Sequence, residues 1–317
     1  MRERVESYLD AFTIRGIVRI LVGFPVFAYF IGFMKDILIA AIKTGPVPKH
    51  IAFIMDGNRR YAKARELRLR DGHSAGADTL VNTLDLCYRI GIEHVTVYAF
   101  SIENFSRSKQ EVDTLLDLLR DKLKFLCEFD DSYANLNKIK LRIIGNRSMI
   151  PPDILIDLQA IEAKTDVLQT KRVLNVCFPY TSRDDIAHAI AKVSQMKLNH
   201  EIDEITMDSI KNNMYMGPNT PNLDILIRTS GQYRLSDFML WQANKNCTIE
   251  FVDKLWPDFN FFDLIFILLN WSYNKTIQSE NNVILGLKPN ADNMVVVKSI
   301  LDELPPPPPF HSVSQRN

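Results

Sequence analysis

The sequence is short of cysteine and has no excess of either charge. Its cysteines, Cys87, Cys127, Cys177 and Cys247, are widely spaced and form no C-x-x-C pair, which argues against a zinc site and a disulfide framework. Lysine plus arginine and aspartate plus glutamate each number 38, so the chain has no net positive charge that would indicate nucleic-acid binding. The absence of cysteine pairs leads us to expect a reducing, cytosol-facing environment. The charge balance means that any phosphate-binding site must be a local cluster of basic residues.

Two phosphate-binding motifs are also missing. Neither G-x-G-x-x-G nor G-x-x-x-x-G-K-[ST] occurs in the chain, which argues against the common nucleotide-binding modules. The length of 317 residues and the hydrophobic content of 46% allow one substantial core. We expect one large domain with extensions at its ends.

A membrane-seeking segment lies near the N-terminus, where Ile20 to Met34 carries no charge. A spanning helix needs roughly 20 apolar residues, and here the pattern is interrupted by Arg19, Pro25 and Lys35. We predict that residues 1–46 form a hydrophobic, membrane-associating helical segment that lies in the interface instead of crossing it. An ordinary core helix is the alternative.

Short β-rich runs alternate with helical stretches after this segment. The runs are Ile51 to Met55, His94 to Phe100, Leu141 to Ile144, Val173 to Phe178, Leu223 to Arg228 and Thr248 to Val252. Right-handed crossovers then predict an α/β fold, a single domain over residues 47–278 with a central, mostly parallel six-stranded sheet flanked by helices. We expect the chemistry at the carboxyl ends of the strands.

The first strand delivers Asp56 and Gly57 to a turn, and a helix begins close to Asn58. Helix amides and the helix dipole favour phosphate there, and Arg59 and Arg60 can pair with phosphate oxygens. A carboxylate beside a phosphate repels it unless a hard cation bridges the two, so we predict Mg2+ held by Asp56 and diphosphate oxygens. The alternative is a solvated basic helix.

Polar residues also follow the second and the fifth strands. The second strand leads to Ser101, Glu103, Asn104 and Arg107, and the fifth to Arg228, Ser230, Arg234 and Ser236. The first group could by itself be a helix cap. Two basic clusters at one sheet edge are better explained by two diphosphate sites, one for each of two reactants.

Together these segments resemble the cis-prenyltransferase family, which includes bacterial undecaprenyl diphosphate synthase and eukaryotic dehydrodolichyl diphosphate synthase. The markers, in the family's order, are MDGNRRYA with GHSAG, AFSIENFSR, LIRTSG with RLSDFMLWQ, and LWPDF. They extend from about Val47 to Asn274. The N-terminal segment, FPYTSRDD and WPDFNFF look most similar to fungal dehydrodolichyl diphosphate synthase subunits.

The resemblance implies an enzyme that adds isopentenyl diphosphate to an allylic (farnesyl) diphosphate, forming a long-chain polyprenyl diphosphate for dolichol synthesis and protein glycosylation. Asp56 would be catalytic and bind magnesium, Asn104 would assist proton removal, and Ser101 would support substrate placement. Substrate-binding residues would be Gly57, Asn58, Arg59, Arg60, Tyr61, Arg68, His73, Phe105, Arg107, Arg228, Arg234 and Ser236. Of these, the allylic diphosphate would lie among Asn58, Arg59, Arg60 and His73, and the isopentenyl diphosphate among Arg228, Arg234 and Ser236.

Some positions depart from the family pattern. Tyr61 and Phe105 stand where many members have tryptophan. The basic residue that bacterial members carry before their Gly-His falls near Leu69, and of the flanking Arg68 and Arg70 we choose Arg68. The bacterial glutamate that helps bind the metal has no clean counterpart, because Cys247 or Thr248 takes its place. Another group would then complete the metal site.

The C-terminal residues 279–317 become polar, contain a polyproline run and lack the Arg-x-Gly tail of family members that work alone. The resemblance implies an accessory subunit, similar to the Nogo-B receptor, that supplies this tail. An SH3 or WW partner for the polyproline run is the alternative. We expect the enzyme at the endoplasmic reticulum membrane or a lipid droplet, with its catalytic domain facing the cytosol.

The product chain requires apolar space, which we expect between the sheet and the helices near 79–88 and 112–126. Three rival functions remain. A catalytically silent scaffold of the same fold is disfavoured by retention of the predicted site residues, and a nucleotide-binding module lacks its motif. A trans-prenyl synthase would carry paired DDxxD motifs, whereas Asp130 and Asp131 stand alone.

Overall fold

The structure, a computed structural model, describes residues 25–127, 132–166 and 170–284. The chain divides into two compact units, residues 1–274 and 275–317, and of the second unit residues 275–284 are described. The predicted tail beyond 284 and the predicted anchor before residue 25 lie outside the described residues.

The described residues form a six-stranded sheet in the order β3-β4-β2-β1-β5-β6. The strands are β1 His50–Ile54, β2 His94–Tyr98, β3 Lys140–Ile144, β4 Val173–Cys177, β5 Ile225–Arg228 and β6 Thr248–Phe251. Every neighbouring pair is parallel. The predicted parallel α/β sheet is confirmed, and the strands lie within two residues of the predicted runs.

The described helices connect these strands and cover the sheet. They are α1 Pro25–Lys43, α2 Asn58–Ala64, α3 Leu69–Ile90, α4 Lys109–Cys127, α5 Tyr133–Leu136, α6 Pro152–Asp166, α7 Ser182–Leu198, α8 Met207–Asn212 and α9 Phe261–Ile284. Short 3-10 helices occupy Ile102–Ser106, Arg147–Met149, Gln242–Asn244 and Trp256–Asp258. The last α-helix continues through the predicted boundary at 278 as far as Ile284.

The core lies on both faces of the sheet. Successive side chains of a strand point to opposite faces, and in β1 Ile51 and Phe53 join one buried cluster while Ala52 and Ile54 join the other. Parallel strands buried on both faces have continuous apolar runs, as β1 does. This central strand carries Asp56 just beyond its carboxyl end.

Helix α1 combines an exposed and a buried side. Ile39 and Ile42 are buried in the core, and Asp36 accepts a hydrogen bond from Arg89 of α3 at 2.6 Å. Tyr29, whose exposed fraction is 79%, belongs to the exposed side. Among the described residues, no helix has both the length and the apolar composition that crossing a bilayer requires.

Candidate active site

The turn after β1 depends on a glycine. Gly57 has φ of +117°, a left-handed conformation that L side chains rarely adopt. A Cβ at this position would lie 3.0 Å from the Cα of Leu255. Gly57 therefore lets the chain leave β1, present Asp56 and enter α2 within three residues.

Asp56 lies between two arginines. Its Oδ2 accepts a hydrogen bond from Nη2 of Arg228 at 2.8 Å, and its Oδ1 lies 3.7 Å from Nη2 of Arg60. The Arg228 side chain is 3% exposed, and its Nη1 donates to the Arg234 carbonyl oxygen at 2.7 Å and to Ser236 Oγ at 2.8 Å. Burial lowers the pKa of Arg228 and the Asp56 carboxylate opposes that shift. The guanidinium stays protonated because its pKa starts far above neutrality.

Neighbouring strands hold the two clusters together at this point. Ile54 of β1 is in register with Arg228 of β5. The Asp56 N–H donates to the Thr229 hydroxyl oxygen at 3.1 Å, and this hydroxyl donates to the Asp56 carbonyl at 2.8 Å. Arg60 donates to Ser230 Oγ. The basic residues after β1 and after β5, 170 positions apart in the chain, thus form one site.

Asn58 and His73 form the neighbouring part of the site. Nδ2 of Asn58 lies 3.5 Å from Nδ1 of His73, and Oδ1 of Asn58 is buried without a hydrogen-bond partner among the described residues. A Cβ on Gly76 would come within 2.4 Å of this oxygen. Burial lowers the pKa of His73, and the nearby Arg107 and Arg59 lower it further. These effects favour the neutral form of His73.

The loop after β2 is a capped 3-10 turn. Ser101 Oγ accepts from the Glu103 N–H at 3.2 Å, and Asn104 Oδ1 accepts from the Ser101 N–H at 3.0 Å. The cap considered as an alternative is therefore present. It orients Asn104 with its oxygen already bonded, and Nδ2 remains as a donor that none of the described residues engages.

Glu111 of α4 organises the basic side chains beside this loop. It accepts a hydrogen bond from Arg107 at 3.0 Å and lies 3.4 Å from Arg59. Glu111 thereby brings together two of the predicted substrate-binding arginines, one from each side of the site. Glu111 is not among the residues that the sequence predicted for the site.

A cavity of about 910 Å³ joins these groups. The predicted residues that line it are Asp56, Gly57, Asn58, Arg59, Arg60, His73, Ser101, Asn104, Arg107, Arg228, Arg234 and Ser236. The cavity continues along an apolar wall. This wall is formed by Leu80 and Val81 of α3, Leu115, Leu118, Leu119, Leu123 and Leu126 of α4, and Val97, Leu174, Val176 and Phe178 of the sheet side.

Three predicted substrate-binding residues do not line the cavity. The Tyr61 ring lies 3.8 Å from the guanidinium carbon of Arg65. Arg68 is 84% exposed and donates to Asp71 at 2.9 and 3.0 Å. Phe105 packs against the Phe100 ring at 4.9 Å. These side chains support the surroundings of the cavity or face solvent in this structure.

Comparison with known proteins identifies the family. A family model described as putative undecaprenyl diphosphate synthase matches residues 54–277, which is more than half of the chain. The chain belongs to this prenyltransferase family. The resemblance indicated by the sequence motifs is confirmed.

Curated members of the family include two similar dehydrodolichyl diphosphate synthase complex subunits. SRT1 of Saccharomyces cerevisiae is 44% identical, over 82% of this chain and 76% of the relative. DHDDS of Homo sapiens is also 44% identical, over 74% of this chain and 70% of the relative. A crystal structure of lavandulyl diphosphate synthase from Lavandula x intermedia with dimethylallyl diphosphate has a TM-score of 0.66 and 29% identity, and covers 71% of this chain and 95% of that one.

The prenyltransferase cavity has lining residues that were not predicted to form the site, although one of them, Trp256, belongs to the LWPDF motif. Tyr98 ends β2, its ring stacks on Phe238 at 4.4 Å, and its hydroxyl lies 3.2 Å from the Ser236 carbonyl oxygen. Lys122 donates to Ser74 at 3.1 Å, and Trp256 donates to the Gly76 carbonyl at 2.7 Å. Tyr98 could have been found from the expectation that polar groups at strand ends meet at one edge.

Few of the side chains that the structure describes in this prenyltransferase are placed to bind a metal ion directly. Among the described residues, no group of three or more histidine, cysteine, aspartate or glutamate side chains could hold a metal ion. Asp56 offers one carboxylate beside several guanidinium groups. Magnesium is commonly held by one or two carboxylates together with substrate phosphates and water. The residues present therefore fit a cation that arrives with, or is completed by, a diphosphate.

Proposed function

We propose that this chain condenses isopentenyl diphosphate units with an allylic diphosphate, such as farnesyl diphosphate, and forms a long-chain polyprenyl (dehydrodolichyl) diphosphate for dolichol synthesis and protein glycosylation. The observation that carries this proposal is the continuity of the cavity. Its polar end collects Asp56 and the arginines that follow or end three strands, and its other walls are mainly leucine, valine and phenylalanine. Such a cavity suits a molecule with a diphosphate at one end and a growing hydrocarbon at the other.

Two diphosphates can be accommodated by different parts of the polar end. We assign the allylic diphosphate to Asn58, Arg59, Arg60 and His73, and the isopentenyl diphosphate to Arg228, Arg234 and Ser236. Arg228 is already oriented by hydrogen bonds to Asp56 and Ser236. A cation that is oriented before the substrate binds can hold the isopentenyl diphosphate, which keeps its own diphosphate through the reaction, without further reorganisation.

We assign magnesium to Asp56 and the diphosphate oxygens. When bound there, the ion would neutralise part of the charge on the leaving diphosphate. The protein residues supply the remaining neutralisation and hold the two reactive carbons within reach of each other. This arrangement agrees with the position of the Asp56 carboxylate beside the arginines at the polar end.

The condensation breaks the bond between the allylic carbon and its diphosphate oxygen, and the double bond of isopentenyl diphosphate forms the new carbon–carbon bond. A proton then leaves the condensed product. The Asn104 amide is not basic, so it does not take this proton itself. We assign Asn104, whose Oδ1 accepts the Ser101 N–H, to placing the isopentenyl group and to assisting removal of the proton, which passes to the departed diphosphate.

We further propose an accessory subunit, similar to the Nogo-B receptor, that supplies an Arg-x-Gly tail to this cavity. Relatives of this chain are named as subunits of a complex. The exposed aromatic side of α1, which includes Tyr29, Phe30 and Phe33, supports association with a membrane surface. We propose the endoplasmic reticulum or a lipid droplet as that surface, with the catalytic domain in the cytosol.

The test is incorporation of radiolabelled isopentenyl diphosphate into solvent-extractable product in the presence of farnesyl diphosphate and magnesium. The chain alone is compared with the chain plus a candidate accessory subunit. We expect product only in the second reaction. Product from the chain alone would keep the enzyme class and remove the need for a partner. No product from either reaction, with the chain folded by circular dichroism, would favour the scaffold function.

A further inference from the structure

Two loops carry part of the proposed substrate contacts, and a third segment lies between them. We call residues 101–107 loop A and residues 229–240 loop B. The segment Tyr180–Arg183 follows β4 and opens α7. On one side, the Tyr180 N–H donates to the Phe100 carbonyl, next to loop A, at 3.1 Å. On the other, the Ser182 N–H donates to the Asp237 carbonyl of loop B at 2.7 Å.

Arg183 extends this connection with its side chain. Its main-chain N–H and its Nε donate to the two carboxylate oxygens of Asp237 at 3.2 and 2.7 Å. Its Nη2 donates to Oε1 of Glu103 in loop A at 2.6 Å. Among the described residues, no other side chain forms ion pairs with both loops.

Loop B needs external support because its backbone is unusual. Ser236, Asp237 and Met239 have φ values of +50°, +57° and +48°, in the left-handed region that non-glycine residues enter at a cost. Phe238 and Met239 are fully buried and hold one side of the loop. The Asp237 carboxylate, adjacent to the Ser236 that accepts from Arg228, is held by Arg183.

Arg183 itself is not among the residues that line the cavity. Its nitrogen atoms are directed to Asp237 and Glu103, and it therefore acts on substrates through these loops. We infer that Arg183 is a positioning residue that sets loop A, with Ser101 and Asn104, against loop B, with Arg234 and Ser236. This role rests on the proposed condensation, in which the two loops place different parts of the reacting pair.

The expected effects of Arg183 on stability and on reaction rate differ in size, and this difference separates a positioning role from a structural one. The Arg183 side chain is 73% exposed, and exposed ion pairs contribute little to stability because solvent screens them. Alignment of two reactants is far more sensitive, since a displacement of about 1 Å can cost on the order of 100-fold in rate. Loss of Arg183 should therefore reduce turnover strongly while changing the melting temperature little.

The experiment uses the full chain with its accessory subunit and compares Arg183→Ala and Arg183→Lys with the wild type. Arg89→Ala is the matched control, because Arg89 also pairs with two carboxylates, Asp36 and Asp85, but lies at the end of α3 outside the cavity lining. We expect Arg183→Ala to lower kcat by about 10- to 100-fold with smaller changes in both KM values. Arg183→Lys, which can reach one carboxylate at a time, should recover part of the loss.

Hydrogen exchange provides a readout that does not depend on turnover. Without Arg183, amides of loops A and B should both exchange faster, whereas Arg89→Ala should leave them at wild-type rates. Unchanged exchange and unchanged kcat in Arg183→Ala would overturn the inference. A rise in KM for isopentenyl diphosphate alone would also overturn it and make Arg183 a binding residue. An inactive wild-type complex would contradict the proposed function, and the exchange comparison would still decide whether Arg183 joins the loops.

Discussion

At the residue scale, the site depends on how a buried guanidinium is compensated. Arg228 is almost fully enclosed, and Asp56 is its ion-pair partner among the described residues. Removing one member of a buried pair leaves the other charge without compensation and costs more than the pair contributes. Asp56 therefore has a structural effect on Arg228 as well as its proposed role toward magnesium and diphosphate, and the two effects require separate variants.

Asp56→Asn and Asp56→Ala separate them. We expect both to lower kcat by at least about 100-fold, because the carboxylate charge is lost. Asp56→Asn keeps an oxygen that can accept from Arg228, so its melting temperature should stay closer to the wild type than that of Asp56→Ala. The measurements are product formation and thermal unfolding.

Asp117→Asn is the matched control, since Asp117 pairs with Arg120 at 2.8 Å on α4 and does not line the cavity. Its activity should equal that of the wild type. Near-normal turnover in Asp56→Asn would exclude the carboxylate from magnesium and diphosphate binding.

At the element scale, α4 serves two purposes with one amphipathic face. Leu115, Leu116, Leu119 and Leu123 recur at helical spacing and therefore share this face. In the structure Leu116 is buried in the core and does not line the cavity, Leu123 is buried and also lines it, and Leu115 and Leu119 are partly buried and line it. The apolar face of α4 is wide enough both to cover the sheet and to line the cavity. This explains the apolar space that was predicted between the sheet and the helices.

Narrowing this wall should shorten the product. Leu119→Trp places a larger side chain in the space that a growing chain would occupy, and apolar burial of each further unit is then lost. We expect the chain-length distribution to shift to shorter products, measured by mass spectrometry after dephosphorylation. Leu198→Trp, at an exposed position that does not line the cavity, is the control. An unchanged distribution in Leu119→Trp would place the growing chain elsewhere.

At the scale of the whole molecule, the sheet has a polar network at the end opposite the cavity. His50 begins β1, and its Nδ1 lies 3.0 Å from the Pro221 carbonyl, which can only accept, so Nδ1 carries the proton. Nε2 then accepts from the Thr96 hydroxyl at 2.7 Å, and Thr96 in turn accepts from Asn175 at 3.1 Å. Burial lowers the pKa of His50 to about 3 and that of His94 to about 4.

These pKa values predict acid destabilisation with a definite sign. The unfolded chain protonates both histidines as the pH falls through 6.5, while the folded chain does not until about pH 4 for His94 and about pH 3 for His50. The unfolded state thus binds more protons in this window, and each group lowers the free energy of unfolding by up to about 1.4 kcal/mol per pH unit. The stability that these two histidines contribute should be complete above pH 6.5 and decline below it.

Urea unfolding at intervals from pH 7 to pH 4.5 measures this dependence. His50→Asn should be less stable than the wild type at pH 7 but should lose less stability on acidification, because one of the two buried histidines is gone. His200→Asn, at an exposed position, is the control. An identical pH slope in His50→Asn and the wild type would contradict the role of His50.

Much of the fold followed from local patterns along the chain. Continuous apolar runs predict strands buried on both faces, and intervening helical faces predict parallel crossovers, because periodicity records which side chains leave water. Asp56, Ser101 and Arg228 were predicted to share an edge since parallel strands end on the same side of the sheet. These inferences need only the order of residues and the geometry of single elements.

Other features depended on packing between distant parts of the chain. The tertiary structure decided the strand order β3-β4-β2-β1-β5-β6 and which α4 leucines line the cavity. It also decided that Arg68 does not line the cavity. The bonds of Arg183 to Glu103 and Asp237 span 80 and 54 positions. The sequence shows which helix face is apolar and which side chains are charged. The partner of each face or charged side chain is set only when the layers pack against each other.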